Sequence, residues 1–238
     1  MVSETVLHNT ELLFGLGVQE DWRFEEEFKR KAGCSVICFD HTITAAYWKN
    51  RFKLDFIGFV RGRRLSIERI KDMLKYLEYR RFFDGKSAIH YQTMIGYPSI
   101  GGKNVHQLMA KTSDKKVFFK IDIEGWEYRI FDQLVENSKR IVGFIIEFHD
   151  VDLHKERISK LIESARRDFE LVHIHANNCG GTDPVGDPLV IEMTWIRKDM
   201  FVPSHDPVER CYPVAGLDYP NNPRGDDIPI RFDGDVRT

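Results

Sequence analysis

Lys120-Ile121-Asp122-Ile123-Glu124-Gly125-Trp126-Glu127 follows directly on the apolar run Val117-Phe118-Phe119. An apolar run closed by two carboxylates and a glycine predicts a buried strand that stops, turns and enters a helix. Acidic side chains at the carboxyl end of a parallel strand face the crevice where open α/β sheets bind their ligands. Two earlier segments have the same form: Glu11 to Phe14 runs into Gly15-Leu16-Gly17, and Ser35 to Phe39 runs into Asp40. Together they predict a nucleoside-containing cofactor held across the top of a sheet.

Outward from this stretch, short apolar runs alternate with amphipathic segments, which predicts a mostly parallel sheet with helices on both faces. Strands are expected at 11–14, 35–39, 88–95, 117–123, 142–148, 170–175 and 189–196. Helices are expected near 22–31, 105–110, 128–136 and 155–167. In the last helix Ile158, Leu161, Ile162 and Ala165 form a one-sided stripe. The turn Asp183-Pro184-Val185-Gly186-Asp187 leaves no room for a crossover helix before the final strand. The last two strands are therefore expected to be antiparallel. Five parallel strands closed by a hairpin is the usual layout of S-adenosylmethionine-dependent methyltransferases: an α/β, Rossmann-like class I fold with seven strands.

Two regions break the alternation. Residues 44–86 are helical in pattern and carry twelve Lys or Arg against five Asp or Glu. They read as a helical insertion after the second strand, above the carboxyl edge of the sheet. From Pro203 onward the chain holds six of its nine prolines, so residues 203–238 read as an irregular tail beyond a domain at 1–202. The whole chain has 238 residues, with 35 basic and 37 acidic, a balance that selects no partner. No apolar run approaches the roughly 20 residues of a bilayer span. Four cysteines without metal-type pairing point to a reduced, cytoplasmic setting. Assembly into a homo-oligomer stays open.

Gly15 and Gly17 lie where a strand turns into a helix, and lacking a Cβ they let a ligand approach the backbone. An ordinary strand–helix turn would use them equally. A dinucleotide fingerprint would place its third glycine at position 20, where this chain has Glu20 followed by Asp21. Carboxylates beside a pyrophosphate repel it, each close pair by about 1 kcal/mol or more. S-adenosylmethionine carries a sulfonium and no phosphate, so Glu20 suits its rim. Asp40 stands where an acidic residue accepts both ribose hydroxyls of an adenosine; a turn aspartate before His41-Thr42 is the competing role.

Asp122 and Glu124 project to one side if their strand persists, and Glu147 and His149 repeat the spacing at the next strand end. His173, His175, Asn177 and Asn178 follow on the sixth strand. Asp122, Glu147, His149 and Asn178 are candidate ligands of a divalent ion, Mg²⁺ or Mn²⁺. His149 is the candidate base, with His175 next, and Asp122 faces the reacting end of the cofactor. Glu124 and Asn177 face the acceptor. A satisfied hydrogen-bond network that only shapes the pocket is the competing reading.

Phe14-Gly15-Leu16-Gly17, Phe39-Asp40, Lys120 to Glu127 and His175-Ala176-Asn177-Asn178 resemble FkbM-type methyltransferases, from about Leu13 to Trp195. The resemblance implies the class I fold and methyl transfer from S-adenosylmethionine to oxygen, largely of sugar hydroxyls on glycans or natural products. It implies cofactor roles for Gly15, Gly17, Asp40 and Asp122. The chain has Gln19 where a third glycine is common, and no helix is expected before the first strand. The basic insertion, with Arg63 and Arg64 foremost, predicts an anionic sugar or glycan acceptor. Methylation of RNA or another nucleic acid, and a non-catalytic cofactor-binding module of the same fold, are the alternatives. Nucleic acid is disfavoured by the slightly negative net charge and the lack of a base-stacking module.

Overall fold

The computed structural model describes residues 2–60, 67–96, 101–203 and 212–230. Seven strands form one sheet: β1 (Leu12–Leu16), β2 (Ser35–Phe39), β3 (Ala88–Tyr91), β4 (Val117–Ile121), β5 (Ile141–Phe148), β6 (Phe169–Ala176) and β7 (Ile191–Arg197). Their order is β3-β2-β1-β4-β5-β7-β6. The pairs from β3 to β5 are parallel, whereas β7 runs antiparallel to both β5 and β6. This is the Rossmann-like, mostly parallel sheet with a closing antiparallel pair that the spacing predicted.

Alternation along the strands sorts the core into two layers. Phe14, Phe119 and Phe144 face one side, packed with Leu108, Phe131 and Leu161 from helices α5 (Val105–Met109), α6 (Phe131–Glu136) and α7 (Val151–Ala165). Leu13, Val36, Phe118 and Val142 face the other side, packed with Phe28 from α2 (Arg23–Ala32). All of these strand residues are at most 2% exposed. Strands buried on both faces read as continuous apolar runs, which is why Leu12-Leu13-Phe14 and Val117-Phe118-Phe119 stand out in the sequence. Truncating Phe119 to alanine would cost about 3–5 kcal/mol.

The structure departs from expectation in three places. A helix, α1 (Glu4–Asn9), does precede β1, capped by the Ser3 hydroxyl. Its single turn and a half carries too little apolar periodicity to be read from sequence. β4 stops at Ile121 rather than 123, because Glu124 (φ 53°) and Gly125 (φ 91°) enter the left-handed region. β3 likewise ends early, at Tyr91. β7 lies between β5 and β6, an order that chain spacing alone does not give.

The insertion is helical as expected, forming α3 (Ala45–Val60) and α4 (Ile67–Phe82). Trp48 of α3 packs edge-on against Trp22 at 5.9 Å, and Tyr79 of α4 does so at 5.8 Å. Arg61, Arg63 and Arg64 lie outside the described residues. The described tail, 212–230, is an irregular wrap along β6. His173 bonds Asp218 at 2.7 Å, His175 bonds Asp227 at 3.0 Å, and the Asn178 amide donates to the carbonyls of Asn222, Gly225 and Asp226. These bonds cover an outer strand that would otherwise offer a template for pairing. Among the described residues no helix is long and apolar enough to cross a membrane.

Candidate active site

Three turns at the carboxyl edge share one backbone device. Gln19 after β1 (φ 47°), Glu124 after β4 (φ 53°) and Asp150 after β5 (φ 51°) are all left-handed and none is glycine. Each conformation costs about 1 kcal/mol or more. The first two strained residues are tied together, since Gln19 Nε2 donates to Glu124 Oε1 at 2.6 Å.

Two cavities open at this edge. The smaller, about 210 Å³, is lined by Phe39, Asp40, Thr42, Met94, Ile95 and Trp126, among others. The larger, about 950 Å³, is lined by Lys120, Glu147, His149, Asn177, Glu192 and Asn221, among others. Gln19, Asp122 and Glu124 line both. Their side chains are the partition between an apolar chamber and a polar one.

The protein's own packing already requires both glycines, and Gly17 also lines the smaller cavity. A Cβ on Gly17 (φ 75°) would lie 1.6 Å from the Asp122 carbonyl oxygen, and one on Gly15 would lie 2.9 Å from Glu25 Oε1. Gly15 lines neither cavity. Glu20 borders the larger cavity, not the smaller one, and its Oε1 accepts from Tyr47 Oη and Arg51 Nη1, both at 2.6 Å. It anchors α3 instead of lining the nucleoside-sized pocket.

Asp40 lines the small cavity, but its carboxylate is already engaged. Oδ2 accepts from the Val18 and Gln19 amides at 3.0 and 2.7 Å, and Oδ1 from the Thr42 amide and hydroxyl at 2.7 and 2.6 Å. A carboxylate has about four acceptor positions, so the competing turn role is the one Asp40 fills here. Burial works against its charge, yet the bonds from Thr42, Gln19 and Val18 hold its carboxyl below the usual carboxylate range.

At the partition, Asp122 Oδ2 pairs with Lys120 Nζ at 3.2 Å, and Lys120 also donates to the Gly17 carbonyl at 2.8 Å. Asp122 Oδ1 is buried and has no hydrogen-bond partner. Burial raises the Asp122 pKa, Lys120 opposes this, and Glu147 adds to it. His149 sits among carboxylates. Its Nδ1 faces Glu127 Oε1 at 3.1 Å, while Nε2 faces Glu147 Oε1 at 3.1 Å, Glu124 Oε2 at 3.4 Å and Asp122 Oδ1 at 3.9 Å. Burial disfavours the charged ring, but hydrogen bonds to Glu127 and Glu147 and their charges push its pKa up to about 10. A ring that holds its proton to that pH takes none from a hydroxyl near neutrality. The base role expected of His149 therefore needs something to displace that proton.

Two other expected residues lie elsewhere. Asn178 is turned to the tail, accepting the Asn222 amide at 2.7 Å as well as donating to three carbonyls. It does not join Asp122, Glu147 and His149. His175 is 6% exposed and clasps Asp227, with Glu192 at 3.9 Å, and these two carboxylates push its pKa up to about 9 against the effect of burial. It is a tail anchor in this arrangement. Asn177 does reach the site, donating to Glu147 Oε2 at 3.1 Å.

Three residues of the site carry no such role in the sequence reading. Glu127 is 0% exposed and holds both the His149 amide and its ring; the apolar Trp126-x-Tyr128 context masks a carboxylate aimed inward. Lys120 looks like a strand interior residue. Glu192 starts β7, and only the reversed direction of that strand brings its first residues to the carboxyl edge.

No protein-family model matches the chain, and no curated protein matches it. Solved structures do match. The chain is similar to the fibrillarin pre-rRNA processing protein of Methanococcus jannaschii, 10% identical over 83% of this chain and 70% of that one, with a TM-score of 0.42. It is similar to the 23S rRNA methyltransferase ErmE, 12% identical over 83% and 69%, with a TM-score of 0.44. It is also similar to precorrin-6y C5,15-methyltransferase from Geobacter metallireducens, 8% identical over 82% and 84%, with a TM-score of 0.37.

Proposed function

We propose that the chain is an S-adenosylmethionine-dependent methyltransferase whose methyl group crosses the partition formed by Gln19, Asp122 and Glu124. The observation that carries this reading is the pair of cavities meeting at those three residues. The small cavity, walled by Phe39, Met94, Ile95 and Trp126, suits an adenine, and Asp40 with Thr42 borders it where the ribose would lie. Thr42 turning its hydroxyl away frees one acceptor position on Asp40 for a ribose hydroxyl. Asp122 borders both cavities, and its carboxylate stands on the side where a cationic methyl donor would lie.

When bound, S-adenosylmethionine supplies an electrophilic methyl group on sulfur: the acceptor oxygen forms the new C–O bond as the C–S bond breaks, and the electron pair leaves with sulfur. The chain's own part is positioning. Asp122 and Glu124 face the donor side, and Glu147, Asn177, Glu192 and Asn221 offer acceptors and donors to an acceptor's hydroxyls. The hydroxyl proton passes to a carboxylate of the larger cavity or to His149 once that ring is deprotonated. A hydroxyl of a sugar is the favoured acceptor, supported by this amide-and-carboxylate lining. The lining includes Glu20, Asp21, Glu27, Asp122, Glu124, Glu147 and Glu192 against Arg23, Lys120 and His149. An anionic acceptor therefore keeps its charge outside, toward the basic insertion, and inserts only a neutral hydroxyl.

A second reading is methylation of a nucleic acid. The basic insertion favours it, with Arg80 and Arg81 exposed on α4. Calorimetry with S-adenosylhomocysteine, followed by a labelled-methyl screen over nucleotide sugars, neutral glycans and RNA, separates the readings. Saturable binding and label on a glycan are expected. Label on RNA alone selects the second reading, binding without any turnover selects a non-catalytic module, and preference for NAD overturns the proposal.

A further inference from the structure

The imidazole of His149 is presented in the way a metal ligand is. Buried Glu127 takes Nδ1 at 3.1 Å and the backbone amide at 2.8 Å, which fixes the ring and turns Nε2 into the cleft. A carboxylate behind a histidine is the usual support of a metal-bound imidazole. On its open side Nε2 meets oxygens of Glu147, Glu124 and Asp122 at 3.1, 3.4 and 3.9 Å. Ligand atoms sharing one ion at about 2.0–2.2 Å stand about 3.0 Å apart at a right angle and about 3.4 Å apart at a tetrahedral angle. A single proton on Nε2 satisfies one or two of these oxygens, and Asp122 Oδ1 is left with no partner.

We propose that Asp122, Glu124, Glu147 and His149 bind one divalent transition-metal cation, with Glu127 as the residue that positions His149. Ligand atoms of Asp122, Glu124 and His149 already lie within 4.8 Å of one another. Charge argues the same way. Carboxylates at Asp122, Glu124, Glu127 and Glu147 against Lys120 leave a formal charge of −3 around the neutral ring that a metal ligand must be, in a half-buried space. Three carboxylate oxygens with one imidazole nitrogen favour Mn²⁺, Fe²⁺ or Zn²⁺ over Mg²⁺. The site stands on the chain's own groups and does not rest on the methyl-transfer reading. If that reading also holds, an ion at the partition meets the acceptor oxygen and lowers its pKa.

The test uses the full chain, stripped with chelator and dialysed, titrated with Mn²⁺ alone and followed by calorimetry and electron paramagnetic resonance. One equivalent of bound Mn²⁺ is expected, with Mg²⁺ binding weaker. Glu124→Gln, at an exposed side chain, and His149→Ala should each weaken binding at least 10-fold. Glu127→Gln should weaken it about 10- to 100-fold with the circular dichroism spectrum unchanged. His106→Ala, at a surface histidine beside Glu136, should change nothing. Absence of saturable binding, or full affinity in Glu124→Gln, overturns the site. Binding of S-adenosylhomocysteine without Mn²⁺ binding would sink this inference and leave the methyltransferase reading standing; the reverse pattern would do the opposite.

Discussion

The carboxylate of Asp40 accepts the backbone amide of Gln19 at 2.7 Å and so ties the end of β2 to the turn that leaves β1. That bond holds a left-handed glutamine at the mouth of both cavities. Asp40→Ala should cost at least about 2 kcal/mol of stability, since bonds to a charged acceptor are worth about 1.5–3 kcal/mol each. Because the folded carboxyl lies below its ordinary value, its contribution is present above about pH 4 and is lost as pH falls through the folded value. Thr42→Ala separates structure from recognition: it frees an acceptor position, so S-adenosylhomocysteine affinity should hold or rise, whereas Asp40→Ala should lower it. Calorimetry and chemical denaturation read the two effects. Unchanged affinity in a folded Asp40→Ala protein removes Asp40 from the site.

Gly17→Ala should be far worse than Gly15→Ala. The first places a methyl group 1.6 Å from the Asp122 carbonyl at a left-handed φ, and neither strand can move. The second meets Glu25 Oε1 at 2.9 Å and Cys38 Sγ at 3.0 Å, which are side-chain atoms able to shift. A loss of about 3 kcal/mol or more is expected at position 17 and less than half of that at position 15. Urea denaturation of the two variants decides it; equal losses would show that the β1–β4 approach is not what demands glycine.

Glu25 is fully buried, neither of its oxygens has a hydrogen-bond partner among the described residues, and burial raises its pKa. The folded state thus binds a proton more tightly than the unfolded chain. Stability from this group is intact below its unfolded value, about pH 4.3, and declines as pH rises, by up to about 1.4 kcal/mol per pH unit until the folded value is passed. Glu25→Gln should remove that slope and raise the melting temperature at pH 8 more than at pH 5. A variant that melts lower than wild type at both pH values would refute a protonated Glu25.

In the metal-free protein His149 should still be protonated at pH 8, visible in its ring ¹⁵N shifts. Its folded pKa, about 10, exceeds the ordinary value, so the stability it lends is complete below about pH 6.5 and fades as pH rises through 10. Glu127→Gln removes the first of the two carboxylates that hold the proton and should move the titration down by at least about one unit. An unshifted titration would assign the proton to Glu147 instead.

Much of this was legible in the sequence, and the reasons differ from element to element. Strands buried on both faces announce themselves as unbroken apolar runs, so β1, β2, β4 and β5 fall within two residues of expectation. α7 is read from its stripe, although its start at Val151 lies four residues earlier than its polar first turn suggests. At the site, Asp122, Glu124, Glu147 and His149 converge as their strand-end positions implied, even though β4 has already ended. The turn, not the strand, brings Glu124 round. What one-dimensional spacing does not carry is the insertion of β7 between β5 and β6. It moves His175 and Asn178 outward to the tail and brings Glu192 in. Nor does spacing show that Asp40 and the two glycines are consumed by neighbouring protein atoms.

The strap along β6 has a consequence for the order in which the molecule is made. Asn221, which bonds Glu192 at 2.9 Å and walls the larger cavity, comes later in the chain than every strand of the sheet. Chains emerge and fold from the amino end, so the sheet and the small cavity can form while the larger cavity still lacks a wall. If the proposed reading holds, a growing chain would be able to house a nucleoside before it could enclose an acceptor. Under the proposed reading, competence for the second partner arrives only when the segment around Asn221 closes over the edge.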